Sequence, residues 1–231
     1  MKLPLAGACV VVAVASICGG AEKTAATPPS APRSESLHYA INWPSGLSLG
    51  ESQLAIHGGQ FQFTLDADVP GYPVHDQVSS TASPDFCSAS LEKHYLHGKR
   101  KSDEKITFDA HRNTAERETV NGGKSEIQTS PCAKDPLAYL EYLRHELSLG
   151  RLPAPQAVVF GAVYQVRVAF VGTETVKLAD KAVEADKLTA SLKGPSSDVT
   201  LEIYFAKDTA RTPLLVKVPL PLATFSMELV R

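Results

Sequence analysis

The sequence predicts a mainly β fold: a curled antiparallel sheet or β-barrel with one plugging α-helix. From residue 37 onward, apolar and β-branched residues alternate with polar ones, which is typical of strands that bury one face. Glycine-containing turns separate several of these segments. Residues 135–150 depart from the two-residue period. About ten strands or more around a single helix are too many for a flat open sheet, so we expect the sheet to curl or close.

The chain begins with a segment typical of a cleavable secretory signal, residues 1–21. Lys2 provides a positive start, Leu3 to Ile17 is an apolar run, and Gly19-Gly20-Ala21 supplies small residues for cleavage. The apolar run is shorter than the about 20 residues that a membrane-spanning helix needs, although an uncleaved anchor or a buried helix is an alternative. We therefore predict a periplasmic or otherwise exported protein.

Cys18 offers a second interpretation of this segment, since bacterial lipoprotein signals end in a cysteine that becomes lipidated. Such signals have a Gly or Ala immediately before the cysteine, whereas this chain has Ile17. We expect ordinary cleavage near Ala21, with lipidation at Cys18 as the alternative.

Residues 22–36 are rich in Ala, Thr, Ser and Pro, which is the composition of a flexible linker. The remaining residues, 37–231, are numerous enough for one β-rich, barrel-like domain with its own core. Removing residues 1–21 changes the formal net charge from −2 to about −3. This balanced surface gives no indication of nucleic acid as a partner.

The strands are predicted from period-two patterns and the turns between them. Near the beginning of the domain, two sets of alternating apolar residues each lie on one face of a strand: Tyr39, Ile41 and Trp43, and then Phe61, Phe63 and Leu65. His57-Gly58-Gly59 is a turn before the second set, and Asn121-Gly122-Gly123 is a strong hairpin signal. Residues 97–105 (HGKRKSDEK) resemble a solvated hairpin tip, although a basic cluster can also bind phosphate or lipid headgroups. Further strands are predicted at 158–160, 164–171, 183–192, 199–205, 214–218 and 225–230.

One helix interrupts the strands. Asp135 is suited to cap its first turn, Pro136 to the first helical position and Gly150 to its C-terminal exit. An apolar stripe runs along one side of this helix; its members are Leu137, Leu140, Leu143 and Leu147. We predict that the helix plugs or covers the curled sheet, with a membrane-binding or cofactor-binding helix as the alternative. If the barrel holds a ligand, we expect the four leucines to contact it.

Two cysteines, Cys87 and Cys132, lie in the exported part of the chain, where an oxidising compartment favours a disulfide between them. The alternative is a metal site with His94 and His97. In a strand these two histidines project to opposite faces, which disfavours that site.

Several short segments, in this order, resemble a known family. They are LHYAINWPSGLSLGES from residue 37, Phe108-Asp109, DPLAYLEYLR from residue 135 and EIYFAKDTARTPL from residue 202. The chain resembles, over about residues 37–231, the bacterial exported family catalogued as domain of unknown function 3108. The resemblance implies an envelope location and a curved β-sheet or barrel, and it implies no established activity or catalytic residues. The two cysteines are not part of the family pattern.

The sequence contains no nucleophile elbow, zinc-protease motif, phosphate-binding loop or dinucleotide-binding fingerprint. We predict no catalytic residues, no metal site and no cofactor. The leading hypothesis is a non-catalytic envelope protein that binds a lipid or another hydrophobic ligand in envelope transport or assembly. The alternatives are a structural module that binds another envelope protein and an envelope hydrolase.

Overall fold

The computed structural model describes residues 34–69, 72–120, 122–179, 181–195, 197–219 and 223–230. The predicted signal peptide at 1–21, with Cys18, and the predicted linker up to residue 33 lie outside these residues. The last three residues of the predicted linker, Ser34 to Ser36, are the beginning of the first strand, because their backbones pair with Ala55 to His57.

The described residues form fourteen strands and one helix. The first eight strands are β1 (Ser34–Asn42), β2 (Ser48–His57), β3 (Gln60–Val69), β4 (Tyr72–Ala82), β5 (Ser88–His97), β6 (Arg100–Asp109), β7 (Thr114–Thr119) and β8 (Lys124–Gln128). The helix α1 (Pro136–Ser148) follows. The remaining strands are β9 (Gln156–Val159), β10 (Val163–Leu178), β11 (Lys181–Lys193), β12 (Asp198–Ala206), β13 (Pro213–Pro219) and β14 (Thr224–Leu229).

All of these strands belong to one antiparallel sheet, so the predicted mainly β fold is confirmed. Its strand order is β8-β7-β6-β5-β4-β3-β2-β1-β14-β13-β12-β11-β10-β9. The sheet consists of two meanders, β1–β8 and β9–β14, that are joined where the first strand pairs with the last. The edges are β8 and β9, and α1 connects them along the chain.

The two halves of the sheet also meet at a seam between β5 and β9, although these strands do not pair directly. The short segment Ala133-Lys134 lies between them. The carbonyl oxygen of Ala133 accepts a hydrogen bond of 2.9 Å from the Ser88 N–H at the start of β5. The carbonyl oxygen of Lys134 accepts another of 2.9 Å from the Val159 N–H of β9. The eleven strands from β9 through β14 and β1 to β5 therefore surround an interior, and β6, β7 and β8 extend beyond the seam.

The disulfide between Cys87 and Cys132 is present at this seam. The Cα atoms of the two residues are 4.7 Å apart, and the bridge ties the residue before β5 to the residue before the Ala133-Lys134 segment. The predicted hairpin at 121–123 is confirmed as well, since β7 and β8 flank it.

The helix begins and ends as the sequence predicts. The side chain of Asp135 accepts hydrogen bonds from the N–H groups of Leu137 and Ala138, Pro136 is the first helical residue, and Gly150 follows the C-cap with a φ of 70°. Asp135 is fully buried and also accepts hydrogen bonds from the Ser80 and Ser88 hydroxyls, both at 2.5 Å. The N-cap therefore fixes the helix to β4 and β5.

Buried apolar residues form clusters on both faces of the sheet. Two clusters line the inside and include the helix residues Leu137 and Leu143. A third forms where β10 and β11 continue beyond β12, with Val176 and Ala185 packed near Tyr204 and Leu215. A register shift at Phe170–Gly172 accompanies this long hairpin.

Candidate functional site

A partly open cavity of about 620 Å³ lies inside the curled sheet. Its wall is almost entirely apolar or aromatic, and it includes residues from β1 to β5, from β9 to β14 and from α1. The volume is within the range of about 300–1,000 Å³ that is usual for small-molecule sites. A normally packed core leaves few voids larger than a water molecule, so this interior is unfilled.

The helix contributes to the cavity three of the four leucines in the predicted stripe. Leu137, Leu140 and Leu143 line it. Leu147 does not; it is buried in a core cluster that includes Val166 and Leu188. Leu140 is only half-buried, although it packs against both inner clusters, because it faces the empty volume.

The helix covers one end of the cavity and is held there by Arg144. This guanidinium is fully buried and makes ion pairs with Glu141 at 2.7 Å and with Glu35 of β1 at 2.8 Å. Its Nε donates to the carbonyl oxygens of Ala210 at 3.1 Å and Arg211 at 3.2 Å, in the turn between β12 and β13. The helix is thus bound to strands from both meanders.

Two polar groups stand out in the apolar wall. Tyr139 of the helix lines the cavity and is 7% exposed, and its hydroxyl has no hydrogen-bond partner among the described residues. Burial raises the pKa of Tyr139 to about 12, so the hydroxyl stays protonated at neutral pH and can donate. Asp76 of β4 also lines the cavity and bonds to Nε2 of His97 at 2.7 Å; burial raises the pKa of Asp76, and the contact with His97 opposes this increase.

A buried ionic cluster closes the seam on the side away from the helix. Glu104 of β6 contacts Nζ of Lys93 on β5 and a guanidinium nitrogen of Arg117 on β7, each at 2.5 Å. Lys93 lies 4.2 Å from the ring centroid of Phe160, which lines the cavity. Gly161 lies so close that a Cβ there would be 3.0 Å from Glu104 Oε1, and its φ of 80° also favours glycine. The turn after β9 therefore packs directly on the ion pair.

The two histidines of the alternative metal site each bond to a different carboxylate. His94 bonds to Asp103 and His97 to Asp76, both at 2.7 Å, while the cysteines form the disulfide. Within the described ranges, no three His, Cys, Asp or Glu side chains cluster as a metal site would require. Nor does the described part of the chain contain a helix of the length and apolarity needed to cross a membrane.

The family model described as "Protein of unknown function (DUF3108)" matches residues 37–230. The chain belongs to the DUF3108 family. No curated protein sequence matches this DUF3108 member significantly.

A solved structure shows the same fold. The β-barrel-like protein of domain of unknown function DUF1849 from Brucella abortus aligns with a TM-score of 0.65 over 86% of this chain and 96% of its own, at 8% sequence identity. At this identity the similarity shows that the two share a β-barrel-like fold and nothing about activity.

Three of the family segments contact one another in the structure. Arg144 ends the DPLAYLEYLR segment and bonds to Ala210 and Arg211 of the EIYFAKDTARTPL segment. Tyr39 of the first segment donates a hydrogen bond of 3.0 Å to the Pro213 carbonyl oxygen. Three segments that are far apart in the sequence therefore meet at the helix-covered end of the cavity. From the sequence, Arg144 can either pair with a carboxylate at the rim of the barrel or face solvent, and the structure shows it paired with Glu35 and Glu141. The sequence does not reveal the Lys93–Glu104 cluster, because the alternation of a strand gives no sign that a charged residue faces inward.

Proposed function

We propose that this protein is a non-catalytic carrier or sensor of a lipid or another hydrophobic ligand, and that it works in transport or assembly in the cell envelope. The observation that supports this proposal is the cavity of about 620 Å³ with an apolar wall. Burying apolar ligand surface there contributes about 25 cal/mol per Å² before the entropic costs of binding.

The proposal is preferred over a purely structural module because the interior is incompletely filled by the chain's own side chains. A barrel that acts only as a scaffold gains stability when side chains fill it to normal density. Here Leu140 is only half-buried and faces the interior, and the cavity continues from it along the inner faces of β12 and β13, past Ile203 and Val216.

An exported location of this protein is consistent with its disulfide between Cys87 and Cys132. A disulfide persists in oxidising compartments such as the bacterial periplasm. We therefore place the mature protein, as part of this proposal, in the periplasm or another exported location, with Cys18 lipidation as the alternative for its attachment.

Titration with a fluorescent fatty acid, cis-parinaric acid, tests the proposal. We expect the parent protein to bind the probe with saturation, and Leu140→Trp to reduce its affinity at least about tenfold, because the larger side chain occupies the cavity. The matched control is Ser148→Trp on the same helix, which is exposed and outside the cavity wall; its affinity should be unchanged.

Thermal unfolding of the three proteins separates ligand binding from folding. In a filled interior, Leu140→Trp overpacks a core and costs roughly 1–3 kcal/mol. In the cavity described here it should cost less than about 1 kcal/mol. A parent protein that binds no probe, together with a strongly destabilised Leu140→Trp variant, would refute the carrier and favour the structural module.

A further inference from the structure

The end of the cavity opposite the helix is bordered by hairpin turns. The turns between β1 and β2, β3 and β4, and β5 and β6 lie at this end, because successive antiparallel strands return to the same edge. The turn between β7 and β8 lies at the same edge of the sheet, beyond the seam. Tyr95, Phe160, Leu192 and Ser197 extend the cavity wall toward it. Neighbouring turns are two strands apart, or about 10 Å, so the four span roughly 30 Å.

These turns hold exposed apolar side chains. Leu47 follows β1 and is 64% exposed, Tyr72 begins β4 and is 48% exposed, and Val120 follows β7 and is 68% exposed. Beside Leu47, Trp43 packs edge-to-face on Phe225, with ring centroids 4.8 Å apart. Single exposed apolar residues are common, but here they occupy three of four successive turns.

The remaining turn is basic. Lys99, in the turn between β5 and β6, and Arg100 and Lys101, the first two residues of β6, are all exposed, and none forms an ion pair with another described residue. Tyr72 lies against this turn, since a Cβ on Gly98 would be 2.9 Å from its ring. We call Leu47, Tyr72, Lys99 to Lys101 and Val120 together the mouth rim.

The charge of this end differs from that of the rest of the molecule. Near its turns the described basic residues are Lys99, Arg100, Lys101, Lys124 and Lys193, and the described acidic residues are Asp68, Glu118, which pairs with Lys124, and Asp198. The chain as a whole has a formal net charge of −2. At the helix-covered end, Leu149 and Leu152 are also exposed, but the turns there mix both signs, as at Asp109 with Arg112 and Lys207 with Asp208.

We propose that the mouth rim docks on an anionic lipid bilayer. Basic side chains next to exposed aromatic and aliphatic ones are the combination that binds such surfaces, since the charges attract the headgroups and the apolar groups enter the interface. Docking through the mouth rim places this end of the cavity against the lipid. An apolar ligand can then pass between bilayer and cavity with little contact with water. This role in ligand exchange rests on the proposed function, whereas docking itself does not require a bound ligand.

Vesicle co-sedimentation tests docking directly. The ligand-free protein should bind vesicles of phosphatidylglycerol and phosphatidylcholine, and it should bind pure phosphatidylcholine vesicles at least about tenfold more weakly. Each basic residue near an anionic surface contributes about fivefold to the partition coefficient. We therefore expect Lys99→Glu/Lys101→Glu to lower partitioning at least about tenfold and Leu47→Ser/Val120→Ser to lower it several-fold.

Matched variants at the other end control for net charge and apolarity. Lys177→Glu/Lys181→Glu, in the far hairpin, and Leu149→Ser/Leu152→Ser should each change partitioning less than about twofold. If Lys177→Glu/Lys181→Glu lowers vesicle partitioning as much as Lys99→Glu/Lys101→Glu does, the mouth rim is not the docking surface. A parent protein that does not bind anionic vesicles would also overturn the proposal. The fatty-acid affinity of Lys99→Glu/Lys101→Glu in solution should equal that of the parent, so a failure of docking is distinguishable from a failure of the carrier proposal.

Discussion

A single hydroxyl in the apolar cavity is the most informative residue-scale feature. Tyr139 buries its oxygen without a hydrogen-bond partner among the residues that the structure describes. An unsatisfied buried donor costs free energy, so Tyr139→Phe should leave the unfolding free energy of ligand-free protein unchanged or raise it by about 1 kcal/mol. A fall of more than 1 kcal/mol in chemical denaturation would contradict this.

The same hydroxyl is available to a polar group on a ligand. Tyr139→Phe should therefore weaken binding of a fatty acid more than binding of a hydrocarbon probe of equal length. Tyr142→Phe is the control, because Tyr142 is on the same helix but outside the cavity wall. Equal affinity of Tyr139→Phe and the parent for both probes would show that the hydroxyl has no part in binding.

The charged residues at the seam carry a second prediction. Burial alone raises the pKa of Glu104, but the hydrogen bonds from Arg117 and Lys93 outweigh this and hold the pKa below its ordinary value. Because the side chains of Lys93 and Glu104 are only 7% and 8% exposed, Glu104→Gln leaves a buried cation without its partner. It should cost about 3–5 kcal/mol at pH 7.

The pH dependence of that cost has a defined sign. A carboxyl whose folded pKa is lowered stabilises the fold above its unfolded pKa, and this stabilisation is lost as pH falls through the folded pKa. The gap in stability between the parent and Glu104→Gln should therefore narrow below about pH 4.5. Melting temperatures from pH 3 to 7 measure it. A gap that is constant across this range would mean that the ion pair contributes nothing.

At the scale of elements, the disulfide and the helix N-cap both tie the start of β5 to the segment that leads into α1. Cys87 and Cys132 are separated by 45 residues, and closing a loop of this length restricts the unfolded chain enough to contribute about 4 kcal/mol. Cys87→Ser/Cys132→Ser should lower the unfolding free energy by about this amount, as measured by denaturant titration under non-reducing conditions. Parent protein under reducing conditions should match the double variant; a parent indifferent to reductant would exclude the bridge as a source of stability.

The helix and the hairpins could be predicted from sequence because their signals are local. Asp135, Pro136 and Gly150 mark the helix, and Asn121-Gly122-Gly123 marks a turn, without reference to the rest of the chain. The division of the leucine stripe could not be predicted. Leu140 and Leu147 share one helix face, and only the position of the helix over the open interior decides that one lines the cavity while the other is buried against β10 and β11.

At the scale of the whole molecule, period-two alternation predicts a curled sheet but not where it closes. The closure depends on contacts between residues distant in the sequence: Ala133 with Ser88, Phe160 with Lys93, and Arg144 with the turn at 210–211. A buried Arg144 resembles a surface helix residue in the sequence. The volume of the cavity could not be predicted from the sequence either, because the apolar residues that line a cavity are of the same kinds as those that fill a core.

The pairing of β1 with β14 also constrains the order in which the molecule can be made. Strand β1 begins at Ser34, whereas its partner ends at Leu229, so the first strand of the domain meets one neighbour only after about 195 further residues have been synthesised. Until then the N–H and C=O groups along one edge of β1 are unpaired and can pair with another chain, and Tyr39 and Ile41 are not yet buried on that side. Contacts of such large separation form slowly. A nascent chain stalled before residue 224 lacks β14, so β1 keeps an unpaired edge in the middle of the sheet. In this state the protein is most exposed to misassembly with its own copies.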